Sequence, residues 1–228
     1  LAAVAILASA CVWFNASVDI RKLEAAVAKL GPHPKIMMLG GAAKFQQENI
    51  LAAIATAYVQ GMRYDDIRAG LLSFFPSPSL TPGRLNLMRV PKGKVIVDYA
   101  HNAAAISGLI DLVQNVDANR RIGVVAGPGD RRDEDLREVG RLASQLDYVI
   151  VKEDDDTRGR EPGAAAQLIV DGLMDGGMEN NQYETIISEP EAIERAMSQM
   201  RDNDLVVILA DDVSRSLEAV QKFSAGGR

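Results

Sequence analysis

The sequence predicts an α/β fold in which a mostly parallel sheet is flanked by helices. Three observations carry that expectation. From residue 85 onward, short runs rich in β-branched residues alternate with helical patterns, as βαβ units require. Between the runs, apolar residues recur at helical spacing: Ile106, Leu109, Ile110 and Val113, then Leu136, Val139, Leu142 and Leu146. Leu205-Val206-Val207-Ile208-Leu209 holds no polar position, which suits a strand covered on both faces.

The bulk numbers bound the answer. A chain of 228 residues, 47% hydrophobic and 25% charged, is ordinary for a globular protein and can form one large domain or a domain plus part of a second. A net charge of −6 and a pI near 5.0, with no basic stripe, argue against nucleic acid as a partner. Cys11 is the only cysteine, which excludes an intrachain disulfide framework and suits a reducing cytoplasm; its apolar neighbours point to a buried, inert thiol. His33 and His101 with one cysteine do not suit a structural zinc site.

The elements follow in order. Leu1 to Phe14 is apolar except for Ser9, shorter than the roughly 20 residues of a membrane span and without a basic leader, so neither a membrane span nor a signal peptide is expected. A buried segment belonging to an upstream domain is the expectation, and the initial Leu suggests a chain that begins inside a longer protein. Ser17 to Leu30 reads as a helix with Ile20, Leu23, Val27 and Leu30 on one face, closed by Gly31; His33 sits between prolines and is taken as incidental. A second helix runs from about Gln46 to Gln60, and a third from Tyr64 to Phe75 with Ile67, Leu71, Phe74 and Phe75 on one face. Phe75 to Pro82 carries three prolines, which places a domain boundary there, between a mostly helical region 1–80 and a region 81–228. Strands are then expected at Leu85–Val90, Lys94–Asp98, Arg121–Ala126, Tyr148–Lys152, Glu184–Ile187 and Leu205–Ala210. A last apolar stripe falls at Ile193, Met197 and Met200.

Three polar stretches are candidates for chemistry. Asp98-Tyr99-Ala100-His101-Asn102 falls where a buried strand hands over to a helix, the edge at which open α/β sheets bind ligands. Alternatively, Asp98 and Asn102 only cap the helix that starts at Ala103. Gly127-Pro128-Gly129-Asp130 follows another strand, where glycines admit close backbone approach and a helix start favours anions. Arg131 and Arg132, beside Asp133, Glu134 and Asp135, can equally be a solvated helix start. No Gly-Lys-Ser/Thr loop occurs in the sequence. Glu153 to Asp156 puts four carboxylates in a row, which repel unless a cation satisfies them. With Arg158 and Arg160 following, the stretch suits an amino acid with a positive side chain, carboxylates holding its cation and Arg158 its α-carboxylate; a solvated acidic loop is the plainer alternative.

These residues also carry a resemblance. Asp98-Tyr99-Ala100-His101-Asn102 resembles the signature that opens the C-terminal domain of the Mur ligase family, whose members join a carboxylate to an amino acid with ATP. Thr81-Pro82-Gly83-Arg84-Leu85-Asn86 is similar to the element preceding that domain, and Gly127 to Asp135 and Lys152 to Arg160 are similar to its charged loops. The four motifs stand in the family's order, and the resemblance runs from about Gly40 to the C-terminus. It implies a Rossmann-like C-terminal domain over 81–228, preceded over 1–80 by the helical tail of a central ATP-binding domain. It implies ATP and Mg²⁺ as cofactors, with no metal ligands assigned.

Nucleotide contacts implied by the same resemblance are Gln46 and Asn49, whose amides suit adenine, and Arg84 and Asp98, with His101 and Asn102 as partners. Read from the residues alone, Asn49 can be a helix-end hydrogen-bonder and Arg84 a surface residue opening a strand. The substrate side falls to Gly129, Asp130, Arg131, Arg132, Asp155, Asp156 and Arg158. The charged loops most resemble members that add arginine to the side-chain carboxylate of a poly-aspartate backbone; lysine addition and cell-wall precursor ligation belong to the same class. The whole enzyme is then a cytoplasmic homo-oligomer, and this stretch alone, lacking the phosphate-gripping loop, does not turn over. A non-catalytic module that binds an amino acid or nucleotide is the rival reading.

Overall fold

The six-residue run Asp204–Leu209 is buried at every position and forms the centre of the sheet, bonded in parallel to a strand on each side. The computed structural model describes residues 53–73 and 77–226. Cys11, His33, Gln46, Asn49, Phe74 and Phe75, and the expected segments before residue 53, lie outside the described residues. The chain divides into two units, Leu1–Phe75 and Pro76–Arg228.

In the first unit the described residues are helical over 53–59 and over α1 (Tyr64–Ser73). Ile54 and Ile67 are buried against each other, with Ala57, Tyr58, Tyr64 and Leu71 packed around them. Gly61 adopts φ +78° in the turn between the helices.

The second unit is a six-stranded α/β sheet. Its elements are β1 (Asn86–Val90), β2 (Gly93–Asp98), α2 (Ala103–Gln114), β3 (Arg121–Val125), α3 (Asp133–Ala143), β4 (Tyr148–Val151), α4 (Ala164–Asp175), β5 (Tyr183–Thr185), α5 (Glu189–Ser198), β6 (Asp204–Leu209) and α6 (Val213–Gly226). Strand order is β1-β2-β6-β3-β4-β5. Only β1 runs antiparallel, in register Asn86 to Val97 and Val90 to Gly93. Strand ends differ from the sequence expectation by a residue or two. The largest difference is β5, expected at Glu184–Ile187 and found at Tyr183–Thr185.

Side-chain alternation sorts the core into two layers. Val95, Val97, Ile122, Val124, Ile150, Val206 and Ile208 face Ala192, Ile193, Ala196 and Met197 of α5 and Leu217 and Val220 of α6. The opposite face of the sheet carries α2, α3 and α4. There α3 and α4 touch at the backbone. A Cβ on Gly140 would lie 2.1 Å from the Ile169 carbonyl oxygen, and one on Gly172 would lie 2.0 Å from that of Arg137. This explains a departure from the expected stripe: α3 buries Gly140 and Ala143, while Leu142 is half-buried and Leu146 packs from beyond the helix end.

Because β2, β6, β3 and β4 are parallel, their carboxyl ends open on one edge, and the loops 98–102, 126–132, 152–160 and 210–212 emerge there together. The antiparallel β1 begins at the same edge and brings Arg84 and Leu85 to it. Among the described residues, no helix is long and apolar enough to cross a membrane.

The helix contact yields a first prediction. Gly172→Ala forces α3 and α4 apart and costs about 1–3 kcal/mol, read as a lower urea midpoint; an unchanged midpoint refutes the close approach.

Candidate functional site at the carboxyl edge of the sheet

The segment ahead of β1 is folded by one buried amide. Asn86 accepts a hydrogen bond from Gly83 N–H at 2.7 Å and donates through Nδ2 to the Thr81 carbonyl at 2.9 Å. Leu85, held at φ 47°, then points its N–H at Asp98 Oδ2, 2.8 Å away. Tyr99 N–H donates to the Gly83 carbonyl at 2.9 Å, locking the segment to the end of β2.

Asp98 is thereby buried, 6% exposed. Burial pushes its carboxyl above the usual range, against the opposing pull of the Leu85 N–H, the Arg84 guanidinium and the Ala100 N–H. Arg84 is exposed, with its Cζ 5.7 Å from the centroid of the Tyr99 ring. The Tyr99 and His101 rings lie 5.3 Å apart. His101 Nδ1 sits 3.1 Å from the Tyr99 carbonyl oxygen, which can only accept, so the proton of this contact resides on Nδ1. Arg84 and His101 thus meet at Tyr99, beside Asp98 in the chain, and Asn102 follows directly. Asn102 is also the N-cap of α2, accepting from Ala105 N–H at 2.9 Å. Asp98 caps nothing in that helix, so the capping reading holds for Asn102 alone.

Next to this group is a cleft of about 140 Å³ lined by His101, Asn102 and Ala103 on one side and Gly127, Pro128, Arg131, Asp135, Leu136 and Val139 on the other. Pockets for whole small-molecule ligands are commonly 300 Å³ or larger, so this cleft suits one end of a ligand. A helix N-terminus and Arg131 favour an anionic end there, while the Asp135 carboxylate on the same wall, paired with Arg132, opposes it.

The two charged loops form one laced structure. The Arg160 guanidinium donates to the Gly129 carbonyl at 2.8 Å, the Arg131 carbonyl at 2.6 Å and Asp133 at 2.8 Å. Arg158 pairs with Asp130 at 3.2 Å. A Cβ on Gly129 would lie 2.1 Å from the Thr157 carbonyl oxygen, so only glycine lets the loops meet there. Arg132 turns outward to Asp135 at 2.8 Å, the solvated helix start weighed as an alternative, and that pairing holds the Asp135 carboxyl below the usual range.

The acidic run does not face one point. Glu153 is buried and accepts from Gly163 and Ala165 N–H at the start of α4. Asp154 meets Lys152 at 3.3 Å, and burial raises its carboxyl despite that cation. Asp155 pairs with Arg215 of α6 at 2.8 Å, and Asp156 accepts from Arg158 N–H at 2.9 Å. The cations that neighbouring carboxylates require are thus supplied largely by the protein itself. Among the described residues, no three His, Cys, Asp or Glu side chains are arranged to hold a metal ion such as Mg²⁺.

The comparisons with known proteins bear on this edge. Residues 83–211 match the Mur ligase, glutamate ligase domain. The chain belongs to the Mur ligase family. It is 45% identical over 186 residues to a cyanophycin synthetase of Nostoc sp., an alignment covering 81% of this chain and 20% of that protein. A UDP-N-acetylmuramoyl-L-alanyl-D-glutamate–L-lysine ligase of Streptococcus suis is 29% identical over 187 residues, covering 81% of this chain and 36% of that one. The chain spans about a fifth of the length of the cyanophycin synthetases it matches. Among solved structures, the Mycobacterium tuberculosis folylpolyglutamate synthase complexed with ADP shares the fold, with TM-score 0.58 and 22% identity over 79% of this chain and 39% of that one.

Sequence reasoning had no role for Asn86, Tyr99, Lys152, Glu189 or Arg215. The one available signal was Lys152 itself, a charge directly after the apolar run Tyr148-Val149-Ile150-Val151.

The burial of Asp98 gives a pH prediction. Its carboxyl ionises less readily in the folded chain than in the unfolded one, so the stability of its neutral form is full at low pH and lost as pH rises through the raised value. Compared with Asp98→Asn, which never ionises, wild type gains relative stability on moving from neutral to mildly acidic pH. Urea unfolding of both at the two pH values reads this, and a pH-independent difference refutes it.

Proposed function

We propose that this chain is the C-terminal part of an ATP-dependent amide ligase that adds arginine to the side-chain carboxylate of a poly-aspartate backbone, the activity that the name cyanophycin synthetase denotes. The carrying observation is the 45% identity over 186 residues, because any such span of a 228-residue chain includes both charged loops. The cell-wall lysine ligase at 29% identity is the more distant match.

ATP supplies the phosphoryl group that activates the acceptor carboxylate. The chain's own residues bind and orient. Arg84, over Tyr99, and Asp98, fixed by the Leu85 N–H, hold the nucleotide side together with His101 and Asn102. Arg131 and the start of α2 receive an anionic end in the cleft. The family resemblance assigns the amides of Gln46 and Asn49, which lie outside the described residues, to the adenine.

The incoming amino acid is read by exchange of partners. Arg158 now holds Asp130, and Asp155 now holds Arg215, both in half-exposed pairs. Such pairs are worth about 0–1 kcal/mol, so they open at little cost. Arginine brings a carboxylate for Arg158 and a guanidinium for Asp155 and Asp156, replacing like with like. Gly129, Asp130 and Arg132 shape the loop from which this happens.

Calorimetry with arginine, lysine and aspartate tests the reading. Arginine is expected to bind in preference to the other two, with affinity falling about tenfold in Asp155→Asn, the loss of one charged contact. Equal binding of lysine transfers the assignment to a lysine-adding ligase. No binding of any of them overturns it in favour of a non-catalytic module. By itself the chain is expected to show no ATP turnover.

A further inference from the structure

Lys152 is fully buried, at 0% exposure, directly beyond the end of β4. Two positions after Ile150, it shares that residue's face of the sheet and lies under the start of α5. There its Nζ meets Glu189, itself 1% exposed, at 2.8 Å and Asp154 at 3.3 Å. Glu189 in turn accepts from Asp211 N–H at 2.8 Å and from Ser216 Oγ at 3.0 Å. The Asp155 N–H donates to Asp211 at 3.1 Å, and Arg215 joins Asp155 at 2.8 Å while lying 3.7 Å from Glu189.

These contacts close a ring from β4 through the acidic loop to α6, then by Glu189 back to Lys152. An ammonium withdrawn from water is costly unless its partners are fixed, so Lys152, Glu189 and Asp154 have little freedom, while the half-exposed Arg215–Asp155 pair stays free to open. The ring holds Asp154 and Asp155, and Asp156 and Arg158 follow them in the same loop. Nothing in the apolar packing of β4 calls for a charge at this place, and a methionine would fill the same volume.

We propose that Lys152 is a positioning residue for amino-acid selection. Anchored to Glu189, it grips Asp154 and thereby sets the spacing of Asp155, Asp156 and Arg158 for a cationic amino acid. This rests on the arginine-selecting reading above.

The test uses the chain with arginine as titrant and two variants. Asp154→Asn takes away the carboxylate charge that Lys152 grips and leaves only a neutral amide oxygen in its place. The double variant Lys152→Met with Glu189→Gln removes both buried charges, leaves an amide for the Asp211 N–H and retains Asp154. Calorimetry is expected to show arginine affinity about tenfold weaker in both, within the span of ordinary coupling between sites. Amide exchange of residues 154–160 is expected to speed up in both, while β4 and α4 keep wild-type protection and the melting midpoint moves little. Rescue of wild-type affinity by the double variant overturns the proposal and leaves the pair a structural one. Weakening in Asp154→Asn alone also overturns it, assigning Asp154 a direct ligand contact. A double variant that melts early leaves the decision to loop exchange in Asp154→Asn: unchanged exchange overturns the proposal. Absence of arginine binding by wild type instead brings down the proposed function on which this inference rests.

Discussion

The hydrogen-bonded ladders on both sides of β6 are the constraint from which the rest of the second unit follows. β6 enters the sheet last in sequence but between β2 and β3 in space, with Val97 opposite Ile208 on one side and Val124 opposite Ile208 on the other. That insertion sets β2 and β3 one strand apart and leaves the start of α2 facing the loop after β3. The cleft from His101 to Val139 is the gap so created. The same ladder carries Asp211 and Asp212 to the edge, where they meet Glu189 and the acidic loop.

Charge at this edge is managed by pairing. Five acids, Asp154, Asp155, Glu189, Asp211 and Asp212, stand near two cations, Lys152 and Arg215, and backbone N–H groups satisfy much of the excess. The opposite edge shows the structural version of the same device: buried Asp204 at the start of β6 takes Arg120 at 2.9 Å and the Arg201 N–H at 2.9 Å. That pair sits at the amino ends of the strands, away from the ligand-facing loops, and it ties the turn before β6 to the start of β3.

The inner strands β2, β3, β4 and β6 were legible because their burial on both faces left apolar runs with few polar interruptions, and the α2 stripe because Ile106, Leu109, Ile110 and Val113 are all buried. The lower weight of Leu142 in α3 was not legible, since it depends on a backbone approach at Gly140 from a helix about thirty positions away. Strand order was equally hidden, because periodicity carries no information about neighbours. At the site, the local cluster at 98–102 could be read from its position beyond a strand. The Arg158–Asp130 pair, 28 positions apart, and the Lys152–Glu189 pair could not, as a charge's partner is a tertiary fact. The acidic run was legible as unusual; its internal neutralisation was not.

Arg160 has a consequence for motion. One guanidinium closes on two carbonyl oxygens and a carboxylate of the neighbouring loop, so residues 127–133 and 153–160 can loosen only together. A contact that stills either loop therefore stills the other as well, through this one side chain.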